Sequence, residues 1–117
     1  PAVATAGKVV LNVLDRLGIA DQVKARLQYF PNGYAAMAYL AQSTGTREMG
    51  ITQVTEIIAN RGVTLVGPLP SELQNIAVYS VGLAAHSAYP GRAQEFIRRL
   101  TGVDAQAVLS AAGFDVS

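Results

Sequence analysis

Cysteine is absent from the chain. That excludes disulfides, thiol nucleophiles and thiolate metal sites. Charge is scarce as well: 15% of the residues are charged and the net charge is +1. Arg61, Arg92, Arg98 and Arg99 are scattered and make no basic stripe. Nucleic acid is therefore not an expected partner, because phosphate binding needs a concentrated positive face. The single histidine, His86, stands beside Ser87 with no Asp or Cys partner nearby, and is read as a plain loop residue. Activating a nucleophile takes a base and an orienting group together. No GxSxG, P-loop, HExxH or Rossmann fingerprint occurs, so neither an enzyme nor a cofactor or metal is expected. The longest apolar stretch, residues 76–85, is far too short to cross a bilayer as a helix. No targeting segment is legible, and the chain opens on Pro1 rather than Met. It reads as a piece of a longer protein.

What is present is a chain of 117 residues, half of them hydrophobic. That is the size of one ordinary domain, with enough apolar material for a core. Val9, Val10, Val13, Leu14 and Leu17 recur at helical spacing, so a helix is expected over about 6–17, capped by Thr5 and stopped by Gly18. Asp21 is a candidate cap for a short turn that places Val23 and Leu27 inward. Residues 27–30 read as a short strand ended by Pro31, and Pro31-Asn32-Gly33 as a turn. Residues 34–42 read as a helix with Met37, Leu40 and Ala41 on one face. Residues 49–52 read as a buried strand, about 53–60 as a helix ended by Gly62, and 63–66 as another strand. Residues 76–85 read as a long buried strand. A helix follows from about Pro90 to Leu100, with Ala93, Phe96, Ile97 and Leu100 inward. A last helix covers 105–112, capped by Asp104 and ended by Gly113, with Phe114 packing behind it. Tyr29, Tyr39, Tyr79 and Tyr89 are placed in core or rim, and Arg98-Arg99 on a solvated face. Alternating helices and short strands signal an α/β fold with a largely parallel sheet.

The succession of segments carries a resemblance. It runs Thr5-Ala6-Gly7, then Leu14-Asp15-Arg16-Leu17-Gly18-Ile19, then Gly33-Tyr34-Ala35-Ala36 opening a helix. Gly50-Ile51-Thr52-Gln53 comes next, then Gly62-Val63-Thr64-Leu65-Val66-Gly67-Pro68-Leu69-Pro70. The strand at 77–85 and a closing Ala105-Gln106-Ala107-Val108-Leu109-Ser110-Ala111-Ala112-Gly113-Phe114 complete it. This order resembles the second half of type 2 periplasmic solute-binding proteins, in the molybdate-binding branch. The resemblance implies two α/β lobes joined by crossing strands, with an anion held in the cleft and delivered to the membrane subunits of an ABC importer. It assigns residues 1–75 to a second-lobe segment. Residues 76–117 become a crossing strand and helices that pack on a first lobe whose N-terminal part lies outside this sequence. The implied setting is periplasmic or extracytoplasmic. The same fold also serves as the effector-binding domain of transcriptional regulators, which is the alternative reading.

Three family contact positions carry over. Ala6 matches the family pattern at the start of the first helix. Tyr34 stands where the family has a small apolar residue, and Gln53 where molybdate binders carry a Tyr. The ligand-binding candidates are therefore Thr5, Ala6, Gly7, Gly33, Tyr34, Thr52 and Gln53. Free N–H groups and the positive end of a helix dipole make an uncharged anion site, which suits a chain so poor in charge. Thr52, Gln53 and Thr55 can donate hydrogen bonds from beyond a strand end. The plain alternative is that Thr5 and Thr52 are helix caps, Gly33 is turn chemistry, and Glu56 favours a first helical turn. Apolar faces made by Phe96, Ile97, Leu100, Val108 and Leu109 lead us to expect self-association.

Overall fold

A computed structural model describes residues 5–116. The chain divides into two units, Pro1–Asn75 and Ile76–Ser117. The first holds α1 (Thr5–Arg16), α2 (Ala20–Val23), a 3-10 turn at Lys24–Arg26, α3 (Gly33–Gln42) and α4 (Val54–Ile58). The second holds α5 (Pro90–Leu100) and α6 (Val103–Ala111).

Each helix of substance has a local cause. The apolar stripe of α1 buries Val13 and Leu14. The helix ends in a left-handed glycine, Gly18 at φ 68°. There the Gly18 N–H donates to the Asp15 carbonyl at 3.0 Å and the Ile19 N–H to the Leu14 carbonyl at 3.1 Å. This crossed pair satisfies carbonyls that a helix end leaves unpaired, and it needs a residue that tolerates positive φ. The same arrangement recurs at Gly113, φ 93°, with Gly113 N–H on Ser110 and Phe114 N–H on Leu109, each at 3.0 Å. Asn32 caps α3: its side-chain oxygen accepts from the Ala35 N–H at 2.9 Å. Pro90 opens α5 in the first turn, where a missing N–H costs nothing.

The core is small and lies in the first unit. Val13, Leu14 and Met37 are its buried apolar residues, Met37 being only 1% exposed. In the same unit Phe30 and Tyr39 meet with tilted rings, centroids 5.1 Å apart. In the second unit no described residue is buried. There α5 and α6 pack on each other, and Tyr79 meets Phe114 edge-on at 5.7 Å.

Several expectations fail, and they fail for one reason. No strand forms among the described residues, so the expected strands at 27–30, 49–52, 63–66 and 76–85, and the parallel sheet they were to build, are not shown. A strand's N–H and C=O groups must pair with a neighbouring strand, and none of the four segments finds one. An apolar, β-branched run states a fit to a sheet and does not supply the sheet. Residues 76–85 are not buried either: Val78 is 86% exposed, and Ile76, Tyr79, Val81 and Leu83 are exposed with it. Phe96, expected inward, faces solvent, whereas Ala93, Ile97 and Leu100 are half-buried; on α6 Val108 is exposed and Leu109 half-buried. Of the core or rim places expected for Tyr29, Tyr39, Tyr79 and Tyr89, all four take exposed ones.

The expected caps shift as well. Thr5 is already helical, and the residues before it lie outside those described. Asp21 lies in the first turn of α2 behind Ile19, and Asp104 in the first turn of α6 behind Gly102. Both carboxylates still complement the positive helix end without capping it.

Candidate functional site

The structure draws part of the expected site together where α3 begins and α4 begins. These two helices pack on each other. Gly33 is buried at the first position of α3, behind the Asn32 cap. The half-buried Thr52 lies just before α4, and Glu56 in its first turn. The Thr52 hydroxyl donates to Glu56 Oε2. Both groups are pressed against Gly33, so closely that a Cβ on that residue would overlap Glu56 Oε2, Glu56 Cδ and Thr52 Oγ1. The space a side chain at this position would need is occupied by Glu56 of α4 and by Thr52, just before it.

Tyr34 and Gln53 flank this group and are exposed. Gln53 occupies the N-cap position of α4 in extended conformation, φ −66° and ψ 142°, with no side-chain capping bond. Its carbonyl accepts from the Glu56 and Ile57 N–H groups at 3.0 and 3.2 Å. Thr52, read as a candidate cap, is not one: its hydroxyl bonds a side chain. Thr5, Ala6 and Gly7 sit at the start of α1, which packs on α2. Ala6 and Gly7 are half-buried there and Thr5 is exposed. The α3–α4 group thus gathers Gly33, Thr52 and Glu56, with Tyr34 and Gln53 at its edge.

Glu56 is the residue whose place sequence reasoning missed. The spacing from Thr52 allows one-turn contact on a helix start, but its seat against Gly33 depends on how α4 lies on α3. Among the described residues no cation pairs with it. The ion pairs lie instead on α5, where Arg98 and Arg99 both bond Glu95 at 2.7–2.8 Å. A shallow surface depression lies at the far end of α3, lined by Tyr39, Gln42, Ser43, Thr44, Gly45 and Glu48, none of them an expected site residue. Among the described residues no group of three or more His, Asp or Glu is placed to hold a metal ion. No helix is long and apolar enough to cross a membrane.

The chain belongs to the bacterial extracellular solute-binding protein family, whose pattern it matches over residues 1–115. Membership carries a solute-binding role and an extracytoplasmic setting. The match identifies this family and not its molybdate-binding relatives. No curated protein and no solved structure matches the chain.

Proposed function

We propose that this chain carries part of the ligand cleft of an extracytoplasmic receptor that hands a small polar solute to an ABC-type importer. The observation that carries the reading is the meeting of Gly33, Thr52 and Glu56 within a chain of this family, with Tyr34 and Gln53 beside them. In this reading residues 1–75 form a second-lobe segment. Residues 76–117 form a crossing segment and helices that pack on a first lobe, and solute capture closes the lobes about a hinge. The apolar exposure of residues 76–83 supports a surface made for further protein contact. An oxyanion-like solute is the form the helix starts favour, through neutral N–H donors and the helix dipole. At α3 the Asn32 side chain already takes the Ala35 N–H, and Glu56 lies beside Gly33.

The test is a thermal-shift and calorimetric survey of the chain with oxyanions, sugars, polyols and amino acids. At least one solute is expected to raise the melting temperature, since a ligand that binds only the folded state stabilises it. Gln53→Ala is expected to weaken that binding by about 1–3 kcal/mol, the usual cost of losing one buried bond to a ligand. A solute bound equally well by the variant would remove Gln53 from the cleft. A survey in which nothing binds would remove the α3–α4 face from the proposal.

A further inference from the structure

Residues 74–84 run without a helix, a turn or a bend, and every one of them is exposed. Among the described residues the backbone N–H and carbonyl groups of Ile76, Val78, Ser80 and Gly82 make no hydrogen bond. An open backbone edge of this kind is a template for another strand, and proteins ordinarily guard such edges with charge, proline or a bulge. This one carries no charge and no proline. No Asp, Glu, Lys or Arg stands between Glu72 and Arg92, and no proline between Pro70 and Pro90. Ile76, Val78, Tyr79, Val81 and Leu83 add exposed apolar side chains, most of them of types that favour a pleated surface.

We infer that residues 76–84 are an interaction surface for a second copy of this chain, with which they pair as an antiparallel ribbon about a two-fold axis at Ser80. The pattern matches itself in that register. Ile76 falls opposite Ala84, Val78 opposite Gly82 and Tyr79 opposite Val81, so large side chains meet smaller ones and an aromatic ring meets a β-branched neighbour. Nothing in the chain lies within 4 Å of where a Cβ on Gly82 would stand, which leaves room for Val78 of a second copy. The even-numbered residues carry the ladder, so it uses the unpaired backbone groups and leaves the Tyr79 ring on Phe114. A run without charge meets its own copy with no like-charge repulsion and offers nothing for a charged partner to recognise. The apolar side chains of two copies cover on the order of 1,000 Å² between them, where specific interfaces begin. A two-stranded ribbon is marginal by itself, so the dimer is weak and forms at high protein concentration. The inference is independent of the cleft reading.

The experiment follows the full chain by sedimentation velocity over a concentration series, and a monomer–dimer equilibrium is expected. Ser80→Lys and Ser80→Glu each set like charges opposite one another on the axis and are expected to weaken the dimer about tenfold or more. Mixed in equal amounts, the two variants are expected to restore a dimer, and salt to weaken it. Helix content by circular dichroism stays at the wild-type value in both, since Ser80 is exposed and outside the helices. The chain has no cysteine, so single introduced thiols report the register. In Ser80→Cys the two mates lie about 5.5 Å apart at the backbone and are expected to cross-link in air, whereas in Val78→Cys they lie about 13 Å apart and are not. Phe96→Ala, on α5, is expected to leave the dimer intact. A wild-type chain that stays monomeric at the highest concentration overturns the inference and leaves the run to another lobe or another protein. Equal cross-linking at both positions, or a dimer that Phe96→Ala abolishes and Ser80→Lys does not, overturns it as well.

Discussion

Both units are rich in apolar residues and make different use of them. In the first, α1 buries Val13 and Leu14, and α3 buries Met37. In the second, an amphipathic α5 and an alanine-rich α6 pack on each other without burying a single described residue. Helices therefore form in both units from local signals, whereas a core forms only where several elements converge. Two helices present one contact stripe each, and burial on more than one side takes at least a third layer. Val78, Phe96 and Val108 are left exposed in the second unit.

The sharpest way to break this comparison is to remove a large side chain from each unit. Met37→Ala is expected to cost about 2–5 kcal/mol in urea unfolding, the range for emptying a buried site. Phe96→Ala, at a site 62% exposed, is expected to stay within about 0.5 kcal/mol. Equal losses would mean that the second unit holds a core of its own.

A smaller effect is expected at Gly33. An exposed helical glycine replaced by alanine ordinarily gains up to about 1 kcal/mol. Here the new methyl meets the Glu56 carboxylate and the Thr52 hydroxyl, so Gly33→Ala is expected to lose about 1–3 kcal/mol, the usual range for overpacking. Pairing it with Glu56→Ala should recover much of the loss, and a double-mutant cycle in urea measures the coupling.

Gly18→Ala and Gly113→Ala ask whether the two units share anything. Both glycines hold positive φ at a helix end, and a Cβ at Gly18 would meet nothing within 4 Å. The cost there is conformational alone, about 1–2 kcal/mol for an L-residue in the left-handed region. Similar losses of helix content by circular dichroism are expected in both variants, because the device is local and needs no core.

The smallest effect belongs to the α5 ion pairs. Hydrogen bonds from Arg98, and then from Arg99, hold the Glu95 carboxyl below its ordinary range. A lowered carboxylate stabilises the folded form at pH values above the ordinary range, and the contribution disappears as the pH falls through the lowered value. The group is open to solvent, so the contribution is slight and salt weakens it further. Helix content of the wild-type chain is expected to dip on acidification more than that of Glu95→Gln, and high salt should erase the difference.

Much of the helical framework was legible because its causes are short-range. The stripe from Val9 to Leu17, the Gly18 and Gly113 stops, Pro90 in a first turn and the polar turn before α3 all act within a few residues. The strands were not legible in the same way. Val66 sits in an apolar run and is 100% exposed, because a strand is defined by a neighbour that the run cannot name. The site divides along the same line. Thr52 and Gly33 drew notice as hydrogen-bonding and turn chemistry and Gln53 through the family resemblance, whereas Glu56 looked like first-turn decoration. Its place beside Gly33 depends on how α4 lies on α3.

By itself the sequence determined the helices, their glycine stops, the absence of thiol chemistry and the scarcity of charge. Each of these depends on residue type and near neighbours alone. Only the tertiary structure decided which apolar residues are buried, that the expected strands stay unpaired among the described residues, and that the Glu56 carboxylate lies beside Gly33. Those outcomes depend on contacts between residues far apart in the chain, and side-chain periodicity carries no record of distance in space.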